Sequence, residues 1–470
     1  MKKTKIVQLL QKLSEGEGLA LRLYLQSPYF NQDARALALF EALYRYAPDQ
    51  WSVLPEKLAF FRKEWPTERW DNKKTDYLMS QLNKLAEHFL AIEQVQGQAA
   101  LLDIYLLDAL SQKGLRKAFR QIQQQWIRQQ AKQALHDKHG FFLQLRFEQI
   151  QEADFGRTRQ RKDDRTIERH TQSLDRYYYA SRLSLACNML DRQAILNTQY
   201  EIQLTDDWLV HLRQYRFFEE PLIEMYYTIY QALLHEADES HFRQLKTHLQ
   251  ANTVVLSLAA LSEIYLLTIN YCARKIRSGK TEYIQEAFAI YKAGIQNRAL
   301  YQEGYLSPWT FTNVVKLSLR LRDYSWTESF IEQYQDQLPP EFRENAVQYN
   351  RADLYYYTTR FAEAQEALSK VEYTDPNFYL GARELLAKIY YETGEEESLL
   401  SMIASFTMFL KRNKKLANNL KQPYLNFCRL LLKIVRRSRR DLATLEQELA
   451  ETPLLASRAW LQKIEREAKA

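Results

Sequence analysis

The chain has 470 residues, 65 Lys and Arg against 58 Asp and Glu, and 46% hydrophobic residues. That length is too great for one compact core and calls for two or three domains or one elongated stack, while the apolar fraction excludes wholesale disorder. Gly and Pro number only 11 each, about 2% apiece against a usual roughly 7% and 5%, and sheet proteins need those residues for their turns. With Leu, Ala, Gln, Glu, Lys and Arg abundant instead, the fold class is all-α. Cys187, Cys272 and Cys428 are far apart and form no CxxC pair, which argues against a disulfide framework and for a reducing compartment. The basic start MKKTKIVQLLQKL is interrupted by Gln8, Gln11 and Lys12 and reads as an amphipathic helix rather than a leader. The longest apolar run, Val254 to Ile269, contains Glu263 and falls short of the roughly 20 residues a membrane span needs. A cytoplasmic protein with no membrane partner is expected.

In chain order, helices are predicted over about 4–13 and 15–26, the second ended by Pro28. Asn31 is suited to cap the next, with Asp33 near its positive end, and Pro55 suits the first turn of a fourth. Asp71 or Asn72 opens a long helix to about Gln96, with Leu78, Leu82, Leu85, Phe89 and Ile92 recurring at three and four. Residues 1–96 thus form a small N-terminal helical domain. Helices follow at about 98–112, 115–137 and 140–153, then the basic connector Arg157 to Lys162, after which Asp163 or Asp164 caps a helix to about Leu196. Asp206 and Pro221 start two more. The alternation of helix and short polar turn continues through 222–236, 239–250, 254–277 and 281–296.

Chemistry is sparse. Neither GxGxxG nor GxxxxGK[ST] is present, so no known phosphate cradle is recognisable. His136 and His139 are three apart but lack carboxylate partners. His235, Glu236, Asp238, Glu239, His241 and His248 are the densest ligand-type cluster, yet HEADESH is not the HExxH spacing that aligns two imidazoles on a helix; they read as solvated turn residues. No GxSxG supports a serine nucleophile. The expectation is no catalytic residue, no metal and no cofactor.

The strongest internal signal is self-similarity at an offset of 34 to 35 residues. Ser318, Ala352 and Ala387 share a small-residue slot; Leu321, Tyr355 and Tyr390 follow three residues later; Phe330, Ala364 and Leu399 mark a second helix. Such a period means stacked helical hairpins, none able to bury its apolar face alone. The clearest unit runs Ala352, Tyr355, Phe361, Ala364, Leu368, Pro376, and the next carries Gly394 at its inter-helix turn. These residues resemble a tetratricopeptide repeat (TPR), over about 310–410, with a weaker unit at Tyr283, Ala287 and Tyr291. The resemblance implies a right-handed α-solenoid, with TPR-like repeats over 251–415, hairpins of lower fidelity over 98–250 and basic capping helices over 416–470. It also implies a groove lined by first helices that holds a partner peptide or helix. The groove positions are then Tyr349, Asp353, Tyr356, Tyr357, Lys388, Tyr391 and Arg322, taken to be exposed. At the positions where family members clamp a terminal carboxylate, this chain has Val315, Leu319, Gly381 and Leu385, with only Asn350 agreeing.

Charge is unevenly spread. Residues 201–400 carry 29 acidic against 19 basic side chains, whereas 411–440 carry 11 basic and no acidic ones. Arg429, Lys433, Arg436 and Arg440 fall on one helical stripe, joined by Arg437, opposite Leu430, Leu431, Ile434 and Val435. Such a stripe suits phosphate contacts of a nucleic acid, or a solvated cap on the last hairpin. The sequence therefore points to a non-enzymatic scaffold for a protein partner, with nucleic-acid binding through the basic end as the alternative.

Overall fold

The computed structural model describes residues 1–48, 50–132, 137–158, 165–195, 198–214, 219–253, 255–372, 376–413, 416–436 and 439–469. They form helices almost throughout, and none is long and apolar enough to cross a membrane. The chain divides into two compact units, Met1–Ala134 with Phe141–Leu174, and Leu135–Gly140 with Asp175–Ala470.

The first unit opens with α1 (Lys5–Leu10), α2 (Glu15–Gln26), α3 (Ala34–Tyr44), α4 (Lys57–Glu64) and α5 (Asn72–Gln96) around one core that includes Leu21, Phe40, Phe60, Phe61, Leu82 and Phe89. Ser14 and Glu17 form a reciprocal capping box at α2, and Asp71 caps α5 as its position in the sequence predicts. The cap of α3 is Asp33, not Asn31. Asp33 accepts from the Arg35 amide, while Asn31 is buried and donates to the Leu25 carbonyl at 2.9 Å. A second core, with Leu107, Phe119, Trp126 and Phe147, joins α6 (Ala99–Gln112), α7 (Arg116–Lys132) and α8 (Lys138–Thr158). The boundary between units falls within α8 and within α9 (Thr166–Ile195). Asp163 and Asp164 lie outside the described residues, as does His136.

The second unit continues with α10 (Asp206–Gln214), α11 (Pro221–Leu234), α12 (Ser240–Asn252), α13 (Leu258–Arg277) and α14 (Tyr283–Gln296). A two-residue ribbon, Tyr301–Gln302 against Tyr305–Leu306, leads into α15 (Pro308–Arg320) and α16 (Tyr324–Tyr334). Then come α17 (Pro340–Tyr357), α18 (Phe361–Ser369), α19 (Pro376–Glu392) and α20 (Glu396–Arg412). The unit ends with α21 (Asn418–Arg436), α22 (Arg439–Glu451) and α23 (Arg458–Lys469). Consecutive helices pair from α11 with α12 through α19 with α20, and α15 packs on α17, which packs on α19. The small slots Ser318, Ala352 and Ala387 are fully buried, as is Ala364, with Phe330 and Leu399 nearly so. Small side chains there let helix axes approach closely enough for neighbours to interdigitate.

The first helices α13, α15, α17 and α19 end in the same way. Gly279, Arg322, Thr359 and Gly394 follow α13, α15, α17 and α19 with φ of 92°, 60°, 59° and 73°. The next residue's amide then reaches back to an open carbonyl in the last turn: Lys280 to Lys275, Asp323 to Ser318, Arg360 to Tyr355 and Glu395 to Tyr390, at 2.8 to 3.1 Å. This is the left-handed C-cap that satisfies orphan carbonyls, and it favours glycine. Thr359, β-branched and exposed, is poorly suited to that backbone. Thr359→Gly should stabilise the protein by about 1 kcal/mol and Gly394→Ala should destabilise it by about as much, read from denaturant midpoints.

Candidate functional site

Along α15, Asn313, Lys316 and Arg320 recur at three and four and are exposed between buried neighbours. The same face is presented by Ile269, Ala273, Ile276 and Arg277 on α13, by Tyr349, Asp353, Tyr356 and Tyr357 on α17, and by Gly381, Glu384, Leu385 and Lys388 on α19. Two cavities of about 250 Å³ each follow from these rows, one between α13, α14 and α15, the other between α15, α17, α19 and α23, and both are bordered by Lys316 and Arg320. The face is thus lined continuously from α13 to α19.

Five of the seven groove positions expected from the sequence, Tyr349, Asp353, Tyr356, Tyr357 and Lys388, line the second cavity. Their exposure differs from expectation. Tyr349 and Asp353 are only 7% and 9% exposed, because the Tyr349 ring lies beneath the Lys316 ammonium at 5.5 Å and fills the space above Gly381. A Cβ at residue 381 would stand 2.8 Å from the Tyr349 hydroxyl, so glycine there makes room for the ring. Tyr356 is half-buried and donates to Glu392 at 3.4 Å, and Tyr357 is exposed. Tyr391 lies beyond the cavity with its ring edge-on to Trp460 at 5.5 Å. Arg322 is not on this face at all: it occupies the left-handed turn after α15, and Arg320 is the arginine that faces the cavity. Asn350 is fully buried and spends its amide on Thr312 and the Ala346 carbonyl.

Sequence reasoning missed Lys316, Arg320, Glu384, Ser457 and Trp460. The first two had a local signal, since cations at i and i+4 alternate with buried residues on α15. Ser457 and Trp460 had none, because they reach the cavity from α23, far along the chain. Ser457 donates to Glu384, and Glu384 pairs with Lys388 at 3.0 Å. Trp460 donates to Glu392 at 3.0 Å, with Lys388 5.9 Å from its ring.

Electrostatically, the cavity is mixed. Burial raises the Asp353 carboxyl above its ordinary value, Lys316 and Lys388 pull it back in part, and Glu384 adds to the rise. The Tyr349 hydroxyl is raised further, by burial and by the nearby Asp353 and Glu384 charges. Among the described residues the Asp353 carboxylate accepts no hydrogen bond, and Arg277, Lys316 and Arg320 have no carboxylate within ion-pairing distance.

The remaining candidate residues behave differently. His235 to Glu239 form the turn between α11 and α12, and His241 lies in the first turn of α12: Glu236 pairs with Arg274 at 3.0 Å and Asp238 lies 3.7 Å from His241, while His248 further along α12 faces Glu224. No group able to hold a metal ion occurs among the described residues. All three cysteines are buried, and burial pushes the Cys428 thiol up to about 12, away from reactive thiolate character. At the basic end the expected single stripe is interrupted. α21 stops at Arg436 and α22 begins at Arg439, so Arg440 belongs to a different helix; Arg437 lies outside the described residues. Arg429 and Lys433 both pair with Glu448 of α22, holding its carboxyl below the usual range. Leu430, Leu431 and Ile434 are fully buried, as their spacing predicts.

No family model, curated protein or solved structure matches the chain.

A carboxyl held above its unfolded value opposes folding once ionised, so its cost is absent below the unfolded value of about 3.9 and complete above the folded one. Asp353→Asn should therefore raise the urea midpoint at pH 7 and leave it unchanged near pH 3, measured across a pH series.

Proposed function

We propose that the second unit is a TPR-like right-handed solenoid that works by binding, without catalysis, and that its partner is a peptide segment of another protein held against the face from α13 to α19. The observation that carries this reading is the convergence of Tyr349, Asp353, Tyr356, Tyr357 and Lys388 on one cavity, continuous through Lys316 and Arg320 with a second. Tyrosines suit such a surface, since a stiff ring offers apolar area and a polar tip at little entropic cost. Hairpins ordered by their own packing also present the face without a large ordering penalty on binding.

The alternative, a nucleic acid on the basic end, has less free charge to use than the sequence suggests, because Arg429 and Lys433 share Glu448. Arg436, exposed at the end of α21, remains its candidate contact.

The test is selection of a random displayed peptide library against the full chain. Selected peptides should bind Tyr357→Ala at least about tenfold more weakly, with the melting temperature unchanged because Tyr357 is 44% exposed. Peptides whose affinity ignores Tyr357 and Arg320, or a library yielding none, would remove the groove reading. Salt-sensitive oligonucleotide binding lost in Arg436→Glu would favour the alternative.

A further inference from the structure

Resting on the groove reading, the charges of that face identify its ligand more closely. The cavity between α13, α14 and α15 has a floor of Ile269, Ala273, Ile276, Ala287 and Leu317, a rim carrying Arg277, Lys316 and Arg320, and no carboxylate in its lining. Several cations of this unit are paired: Arg274 with Glu236, Lys246 with Glu286, Arg360 with Glu363, Arg429 and Lys433 with Glu448. The three rim cations are not, although they sit in the part of the chain where acidic residues outnumber basic ones. Unpaired cations beside an apolar floor suit a ligand that brings negative charge next to an apolar side chain.

The neighbouring cavity tells which kind of anion. Asp353 and Glu384 stand within the same face as Lys316 and Arg320. A phosphodiester backbone, negative at every step, would be repelled there. A peptide differs because its amides alternate with its side chains. Asp353 is nine-tenths buried, lines the cavity and accepts no hydrogen bond among the described residues; its carboxylate opens onto the cavity, where a backbone N–H of an extended peptide can donate to it.

We infer that the face from α13 to α19 binds an extended acidic peptide, with an apolar side chain on the floor between α13 and α15, flanking carboxylates on Arg277, Lys316 and Arg320, and a backbone amide donating to Asp353. The arrangement differs from capture of a chain-terminal carboxylate, since the ligand's acidic groups are internal side chains.

The experiment uses three degenerate seven-residue peptide pools with blocked termini and one fixed central Leu, flanked by Asp and Glu, by Asn and Gln, or by Lys and Arg. Each is titrated against the full chain by fluorescence anisotropy at 50 and 200 mM salt, beside a single-stranded oligonucleotide. The acidic pool should bind best, weaken with salt, and lose at least about tenfold in Lys316→Glu/Arg320→Glu. Arg320→Gln should lose about threefold, whereas Arg322→Asn, which removes the same charge two residues away on a turn off this face, should lose nothing. Asp353→Asn should weaken the acidic pool, yet leave an otherwise identical pool N-methylated at its backbone unaffected. Neutral or basic pools binding as well as the acidic one, with sensitivity to Tyr357→Ala, would overturn the acidic ligand and leave groove recognition standing. Failure of all three pools would overturn both. Tighter binding of the oligonucleotide, lost in the Lys316→Glu/Arg320→Glu variant, would replace the peptide with a nucleic acid.

Discussion

Close approach of successive helices is the constraint on which the second unit depends. Ser318, Ala352, Ala364 and Ala387 have no exposed surface, and at those crossings a larger side chain would hold the helices apart. Once the axes are close, Phe330, Leu399 and their neighbours interdigitate, and the apolar face of each hairpin is covered by the next. The left-handed caps at Gly279, Arg322, Thr359 and Gly394 reverse the chain within a few residues, so that the second helix returns directly onto the first. Packing and turn geometry impose the same arrangement.

That arrangement creates the candidate site as a by-product of geometry. When first helices pack against one another, residues at spacings of three and four on each are brought into parallel rows. Lys316 and Arg320 belong to one helix but border two cavities, because a row between two neighbours faces both. The site then departs from what stability alone would select. Asp353 is buried without a hydrogen bond, at a cost that two lysines reduce but do not remove. The half-buried Glu263 of the same unit is treated differently: it accepts from Lys138, Ser184, Asn188 and Tyr226 at 2.6 to 2.8 Å, and those bonds outweigh burial to lower its carboxyl.

The C-terminal helices also take part in the site. α21 packs on α20, and α23 packs on α21 and α22, which brings Ser457 and Trp460 to the edge of the cavity beside Glu384, Glu392 and Lys388. The basic character of this end is partly internal to the fold, since Glu448 gathers Arg429 and Lys433 while Leu430, Leu431 and Ile434 fill the core behind them.

What the sequence determined by itself is local. Glycine and proline scarcity, helix caps such as Ser14 and Asp71, the glycine turn at 394 and the three- and four-residue apolar spacings are properties of a few neighbouring residues, and the helices follow them closely. The buried small-residue slots were legible because repetition displayed the same packing demand three times. Only the tertiary structure decided which polar residues share a face. Tyr349 and Asp353 look exposed on a helix considered alone and become buried when α15 and α19 close over them. Arg322 looks like a continuation of α15 and lies past its cap. Trp460 enters from more than 60 residues beyond the helices it meets. Those outcomes depend on how helices cross and where distant segments return, and no short stretch of sequence encodes either.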